Sequence, residues 1–546
     1  MHRIKKFAGL LLLAVLSVST AFPQNAQLGS VQFPTSGSPQ AQAAFLRGVA
    51  AMHSFWYEEA LEAFQEATRL DPNFAMGHWG EAMTYNHPIW QQQDAEPARR
   101  ALAKIKDTAT LTPRERAFIE AARILYGAGD KLARDLAYAA AMEKMYREYP
   151  DDLEIATFYS LALLGTVRPG DKGFARQVKA GAVALEVYQK NPNHPGAAHF
   201  VIHAFDDPEH AILALPAAFR YAQIAPAASH ARHMPSHIFL QLGMWPEAAA
   251  SNEIAWQVSD DWVRSKHLAL SLRDYHSNHW LTYVYCQQGR FSKAAGLVNF
   301  LRQTMKEHGR ESVRWYDDTV AGYIVESQRW ELAATLFDPS PAPAAASDEH
   351  AGHGAPPAPA PQTMLTNRRG TALPLFIRAL GAASNGAPEA EKLLAELRAT
   401  RGPNLDAYTA KVQDIRELEI SALLAASKKS FDEAIAAMKK ATALETEMSP
   451  PSGPPTLIKP SHELFGETLL RAGRAKEAAE QFALALSRQP NRARSLLGTA
   501  RAFAAAGNRA AAVETYQKLL GLWQQADADL PELREAREFI GQASAR

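Results

Sequence analysis

Residues 57–72 read YEEALEAFQEATRLDP, and the placing of Ala60, Phe64, Ala67 and Pro72 within them decides the fold. Residues three and four apart share one face of a helix, so the two alanines and the phenylalanine form a single stripe. The small residues let a second helix approach closely, Phe64 fills the groove between the two, and Pro72 ends the helix because it lacks an N–H. The pattern then recurs. Pro192 and Pro226 stand one period apart with Ala214, Ala218 and Tyr221 between them, and Gly243, Trp245, Ala248 and Ala255 repeat the offsets. Further copies run through Gly289 to Phe291 with Ala294, through Phe431, Ala434 and Ala441, through Gly473, Ala478, Phe482, Ala485 and Pro490, and through Gly507, Ala512 and Tyr516. Self-similarity near 34 residues predicts stacked helix-turn-helix units, each with an apolar face that only its neighbour covers.

These residues and their spacing resemble the tetratricopeptide repeat family over most of residues 41–535. The resemblance implies an all-α, right-handed superhelical solenoid whose concave surface is lined by the first helix of each unit, a scaffold for a peptide, a protein segment or a small ligand. One stretch interrupts the repeat: Asp338 opens a Pro/Ala-rich segment without apolar periodicity, which predicts a flexible linker at 338–363. The expected organisation is an N-terminal array at 41–337 and a C-terminal array at 364–540. His350 and His353 lie in the linker and are read as part of a solvated spacer.

Lys and Arg number 58, and so do Asp and Glu. No net field draws the chain to nucleic acid or to an anionic membrane, so any specificity is local. Basic residues at 2–6, an apolar run from Phe7 to Val18, and Ser19 and Ala21 before a cleavage point predict a secretory signal peptide at 1–21. The run is shorter than the roughly 20 residues a membrane span needs. The expectation is a periplasmic or secreted protein with no membrane span after cleavage. Its single cysteine, Cys286, excludes an internal disulfide, so packing alone must stabilise the array.

Histidines crowd the region from His194 to His279. His199 and His203 are spaced i, i+4, as are His233 and His237, and His276 and His279 are spaced i, i+3; each pair therefore shares a helix face. In repeat register, His199, His233 and His279 take the fifth position of a unit, His203, His237 and Tyr283 the ninth, and His230 and His276 the second. The family resemblance implies that these offsets face the concave groove. Converging neutral imidazoles suit a transition metal such as Zn, Cu or Fe. The expected ligands are His199, His203, His233, His237 and His279, with His230, His276 and Tyr283 lining the groove beside them. Asp206 and Asp207 are candidates for supplying oxygen ligands, for orienting imidazoles from outside the ligand set, or for making the turn before Pro208, the turn being the expectation for Asp207.

Two other groups fall at inward offsets. Trp79 and His87 belong to an aromatic patch near the start of the array. Glu463 and Glu467 share a helix face in the C-terminal half and are candidates for a general base beside a metal. No H-E-x-x-H helix, phosphate loop, nucleophile elbow, dinucleotide fingerprint or paired C-x-x-C occurs. Two readings result: a scaffold with a peptide or protein partner and no cofactor, or a metal-binding protein or metalloenzyme built on the groove histidines.

Overall fold

A computed structural model describes residues 27–106, 111–168, 171, 173–337, 372–403 and 405–544. The expected signal peptide at 1–21 and linker at 338–363 lie outside the described residues, as do His350 and His353. Among the described residues almost all regular structure is helical, and the exception is a two-residue pairing of Asn86–His87 with Gln92–Gln93. Helices pack in consecutive hairpins: Pro39–His53 on Tyr57–Leu70, Leu153–Leu164 on Ala175–Lys190, and Ser461–Arg471 on Ala475–Arg488. Among the described residues no helix is long and apolar enough to cross a membrane.

Local signals account for the boundaries. The Ser38 hydroxyl accepts from the Ala41 amide to cap the first helix, and Thr112 with Glu115 forms a complete capping box on the helix Pro113–Leu125. The stripe read at Ala60, Phe64 and Ala67 is fully buried. Phe64 owes its seat to two glycines. A Cβ at Gly48 would lie 2.6 Å from its ring, and one at Gly80, in the next unit, 2.3 Å. The C-terminal half repeats the device, with Gly466 and Gly498 closing on Phe482 at 2.7 and 2.3 Å. A methyl group at Gly80 has nowhere to go, so Gly80→Ala is expected to cost about 1–3 kcal/mol through overpacking. Gly296→Ala, in a helix where the added carbon meets nothing within 4 Å, is the control. Chemical denaturation should separate the two, with the control unchanged or slightly stabilised.

Residues 27–38 run ahead of the first helix and are tied to later elements: the Ser30 amide donates to the Asn193 carbonyl at 2.9 Å, and the Ser36 amide to Glu115 at 2.7 Å. Phe33, 1% exposed, inserts among Phe45, Trp79 and Phe118 with ring centroids 5.1, 5.6 and 4.9 Å away. Trp79 is thus a core residue packed against the chain's own N-terminal segment, contrary to the expectation that it lines a ligand groove.

The two halves also meet. Trp245 donates its indole N–H to the Asn491 carbonyl at 2.9 Å, Trp523 to Gln287 at 3.0 Å, and the Ala493 amide to the Gln287 side chain at 2.9 Å. The proline-rich turn before the helix Ser461–Arg471 lies against the helix Tyr275–Gln287; Gly453 comes so near Trp280 that a Cβ there would be 2.4 Å from the indole. At the centre of this junction Arg492 pairs with Glu463 at 2.8 Å and with Glu326 at 2.6 Å, and donates to the Tyr283 hydroxyl at 2.9 Å.

Glu463 and Glu467 are therefore not groups awaiting a substrate. Lys459 holds both, at 2.9 and 2.7 Å, and Ser495 donates to Glu463. Burial alone would raise the Glu463 pKa, but Arg492 and then Lys459 overcome it and hold the carboxyl well below its usual range. Tyr283, expected in the groove, is sealed into the same junction.

Candidate metal centre

Six imidazoles gather where four helices converge. Pro195–Ala204 brings His199 and His203, Ser229–His233 brings His230 and His233, Pro235–Gln241 brings His237, and Tyr275–Gln287 brings His276. Pro235 removes one backbone hydrogen bond, but Met234 keeps helical angles of φ −53° and ψ −35°. The chain therefore runs on in the same direction, and His233 and His237 stay one turn apart, with their Nε2 atoms 3.1 Å from each other.

His199, His203 and His230 form one triad and His233, His237 and His276 a second, with one ligand atom from each residue lying within 4.8 Å of the others in its set. Four of the five expected metal ligands are in these sets. His230 and His276, expected beside the ligands, complete them. His279 does not join. Its Nδ1 is 3.1 Å from the Thr319 hydroxyl, and its ring stacks on Trp315, because a step of three residues from His276 turns the side chain toward the helix Tyr316–Ser327. His87 stacks on Tyr57 at 3.9 Å and stands apart from both triads; burial pushes its pKa down to about 4.

The outer nitrogens decide which way the lone pairs point. His237 Nδ1 meets the Asp206 carboxylate at 2.6 Å, where only an N–H can donate. His233 Nδ1 meets Asn252 Oδ1 at 2.6 Å, and the Asn252 amide nitrogen already donates to the Ala248 carbonyl, so Nδ1 is again the donor. His199 Nδ1 donates to the His53 carbonyl at 2.7 Å. In its neutral form each of these rings carries its proton on Nδ1 and turns an unprotonated Nε2 inward, as oxygen partners outside a metal's ligand set commonly arrange.

With both rings neutral, two lone pairs face each other across the second triad at 3.1 Å, a contact that a cation between them relieves. Bonds of 2.0–2.1 Å at a tetrahedral angle would set two such nitrogens about 3.3 Å apart. In the first triad, His199 and His230 approach at the same 3.1 Å, and His203 Nε2 is buried without a hydrogen-bond partner. Burial pushes the His199 pKa down to about 3 and holds His203, His230, His233 and His276 well below the usual value. Neutral imidazoles are the form a metal requires.

Aromatic rings wall the cluster. Phe55 lies 4.3 Å from His199, and Trp280 lies 4.9 and 4.2 Å from His233 and His237. Phe55 and Trp315, beside His276, hold left-handed backbone angles, φ 53° and 61°. That conformation costs bulky residues on the order of 1–3 kcal/mol and is tolerated where surrounding structure enforces it.

Of the roles open to it, Asp206 takes that of orienting an imidazole, meeting His237 Nδ1. Asp207 makes the turn, accepting from the Glu209 and His210 amides at 2.9 and 3.0 Å. A third group was not anticipated: the buried Glu154 accepts from His53 at 2.8 Å and His194 at 3.1 Å. His194 Nδ1 in turn caps the helix Pro195–Ala204. Both oxygens of Glu154 are engaged by protein donors, and the group braces the elements behind His199. Nothing in the local spacing of Asn252 or Phe55 marks them in the sequence.

The fold defines a helical-hairpin repeat protein, a class that presents extended binding surfaces and serves as an interaction scaffold. The tetratricopeptide repeat family matches residues 41–74, the unit built around Phe64. No curated protein matches the chain significantly. Solved structures of similar architecture include human IFIT1 as a dimer with m7Gppp-AAAA, at 14% identity and a TM-score of 0.34 over 91% of this chain and 92% of that one. Yeast Tom70 gives 12% and 0.32 over 92% and 96%, and the Cut9–Hcn1 complex of the APC/C 11% and 0.31 over 92% and 76%. At such identities and scores they say nothing of ligand or partner for this chain.

Proposed function

We propose that this repeat protein is a transition-metal-binding protein whose centre is built from His199, His203, His230, His233, His237 and His276. The facing Nε2 atoms of His233 and His237, 3.1 Å apart, carry the reading: both rings have their outer nitrogen committed as a donor, which leaves the inner lone pair of each neutral ring free for a cation. Neither triad includes a carboxylate or thiolate, and an all-imidazole donor set favours Zn, Cu or Fe over Mg or Ca. Asp206 supplies a balancing charge through its contact with His237. The N-terminal sequence adds that the protein works in the periplasm or outside the cell.

Elemental analysis tests the proposal. Protein purified without a polyhistidine tag and incubated with Zn²⁺ or Cu²⁺, then desalted, should retain metal in stoichiometric amount, and a His233→Ala/His237→Ala variant should lose it from the second triad. The loss in affinity should exceed the roughly 10–100-fold that changes outside the ligand set produce. Equal metal in the two proteins, or none in either, overturns the reading and leaves a scaffold for a peptide or protein partner.

A further inference from the structure

The two triads are not separate places. His203 and His237 have ring centroids 5.9 Å apart, and His230 and His233 6.1 Å apart. Within the triads the widest separations are 6.2 Å, for His203 and His230, and 6.3 Å, for His237 and His276. The nearest approaches between the sets are thus no larger than the widest gaps inside them, and the six rings form one continuous cluster. The sequence explains this closeness: His230 and His233 are three residues apart on one short helix, and each serves a different triad. His199 and His203 enter from the helix on one side, His276 from the helix on the other.

Three neutral imidazoles supply three bonds and no charge. An ion in each triad would have a fourth position, and the adjacency of the sets turns those positions toward each other. Two divalent ions bring four positive charges, against which the protein sets one carboxylate in contact with a ligand, Asp206 on His237. A small anionic oxygen ligand such as hydroxide, placed between the ions, would complete both coordination shells and reduce the charge. Paired metal sites with ions roughly 3.5–4 Å apart use such an arrangement.

Resting on the metal-binding reading above, we infer that the protein holds two late first-row metal ions side by side, one on His199, His203 and His230 and one on His233, His237 and His276, sharing a small oxygen ligand. The centre is dinuclear, and the short helix Ser229–His233 is its spine.

Copper serves as the probe. Metal-free, tag-free protein is loaded with Cu²⁺, desalted, and measured by elemental analysis and electron paramagnetic resonance beside His203→Ala and His276→Ala. The expected result is two equivalents in the native chain, falling to one in each variant, with the ion that remains reporting that the variant has folded. The native spectrum should show coupling, as a reduced spin count or a half-field signal, and each variant an isolated Cu²⁺ spectrum. One equivalent in the native chain overturns the paired centre while leaving metal binding intact. Two equivalents with uncoupled spectra overturn the shared ligand and the side-by-side placement. No copper in any of the three proteins removes the metal-binding reading itself.

Discussion

Arg492→Ala should destabilise the chain by about 3–5 kcal/mol, the cost of removing one partner from a buried ion-pair network. Arg492 is 1% exposed and holds two carboxylates that are equally buried, Glu463 and Glu326. Without it Glu326 loses its only cationic partner among the described ion pairs, Glu463 keeps Lys459 and the Ser495 hydroxyl, and the Tyr283 hydroxyl loses a donor. Denaturant unfolding should show the midpoint fall, and limited proteolysis should find the junction between the halves opened first. A variant that also carries Glu463→Gln and Glu326→Gln should recover much of the loss, because the penalty lies in the stranded charges. An unchanged midpoint in Arg492→Ala would show that the junction does not depend on this network. The same network predicts an acid response. Glu463 is held well below the value of about 4.3 that it takes when unfolded. Its contribution is therefore complete above that pH and declines as the pH falls toward the folded value; in Arg492→Ala this decline should be shallower.

Adding metal should raise stability, and stripping it should lower it by the same amount. A ligand that binds only the folded chain contributes about 4 kcal/mol when present at 1,000 times its dissociation constant. The six histidines sit on four different helices, so unfolding any one of them releases a ligand. Thermal unfolding followed with and without Zn²⁺, and again after a chelator, should show a reversible shift in the native protein. His233→Ala/His237→Ala should show a smaller one. A shift of equal size in that variant would place the metal elsewhere, and no shift in the native chain would mean that the histidines hold no metal. Asp206→Asn keeps the hydrogen-bonding shape but removes the carboxylate that orients His237, so it should weaken binding without abolishing it.

Sequence by itself determined the unit of construction. Ala60, Phe64 and Ala67 announce a helix pair because helical spacing puts them on one face, and the same spacing in later units announces the stack. It also brought His199 to His203 and His233 to His237, since residues four apart on a helix are neighbours whatever surrounds them. Tertiary structure alone decided what the inward positions meet. Trp79 and Glu463 occupy inward offsets, yet one is filled by Phe33 from the segment ahead of the first helix and the other by Arg492 across the junction of the halves. Neither contact has a local signature, because each joins residues far apart in the chain. The composition of the triads was hidden for the same reason. His230 and His276 reach the cluster and His279 does not, because a step of three residues rotates a side chain by about 60° from its neighbour, and only the packed helices settle which of the two points at the centre.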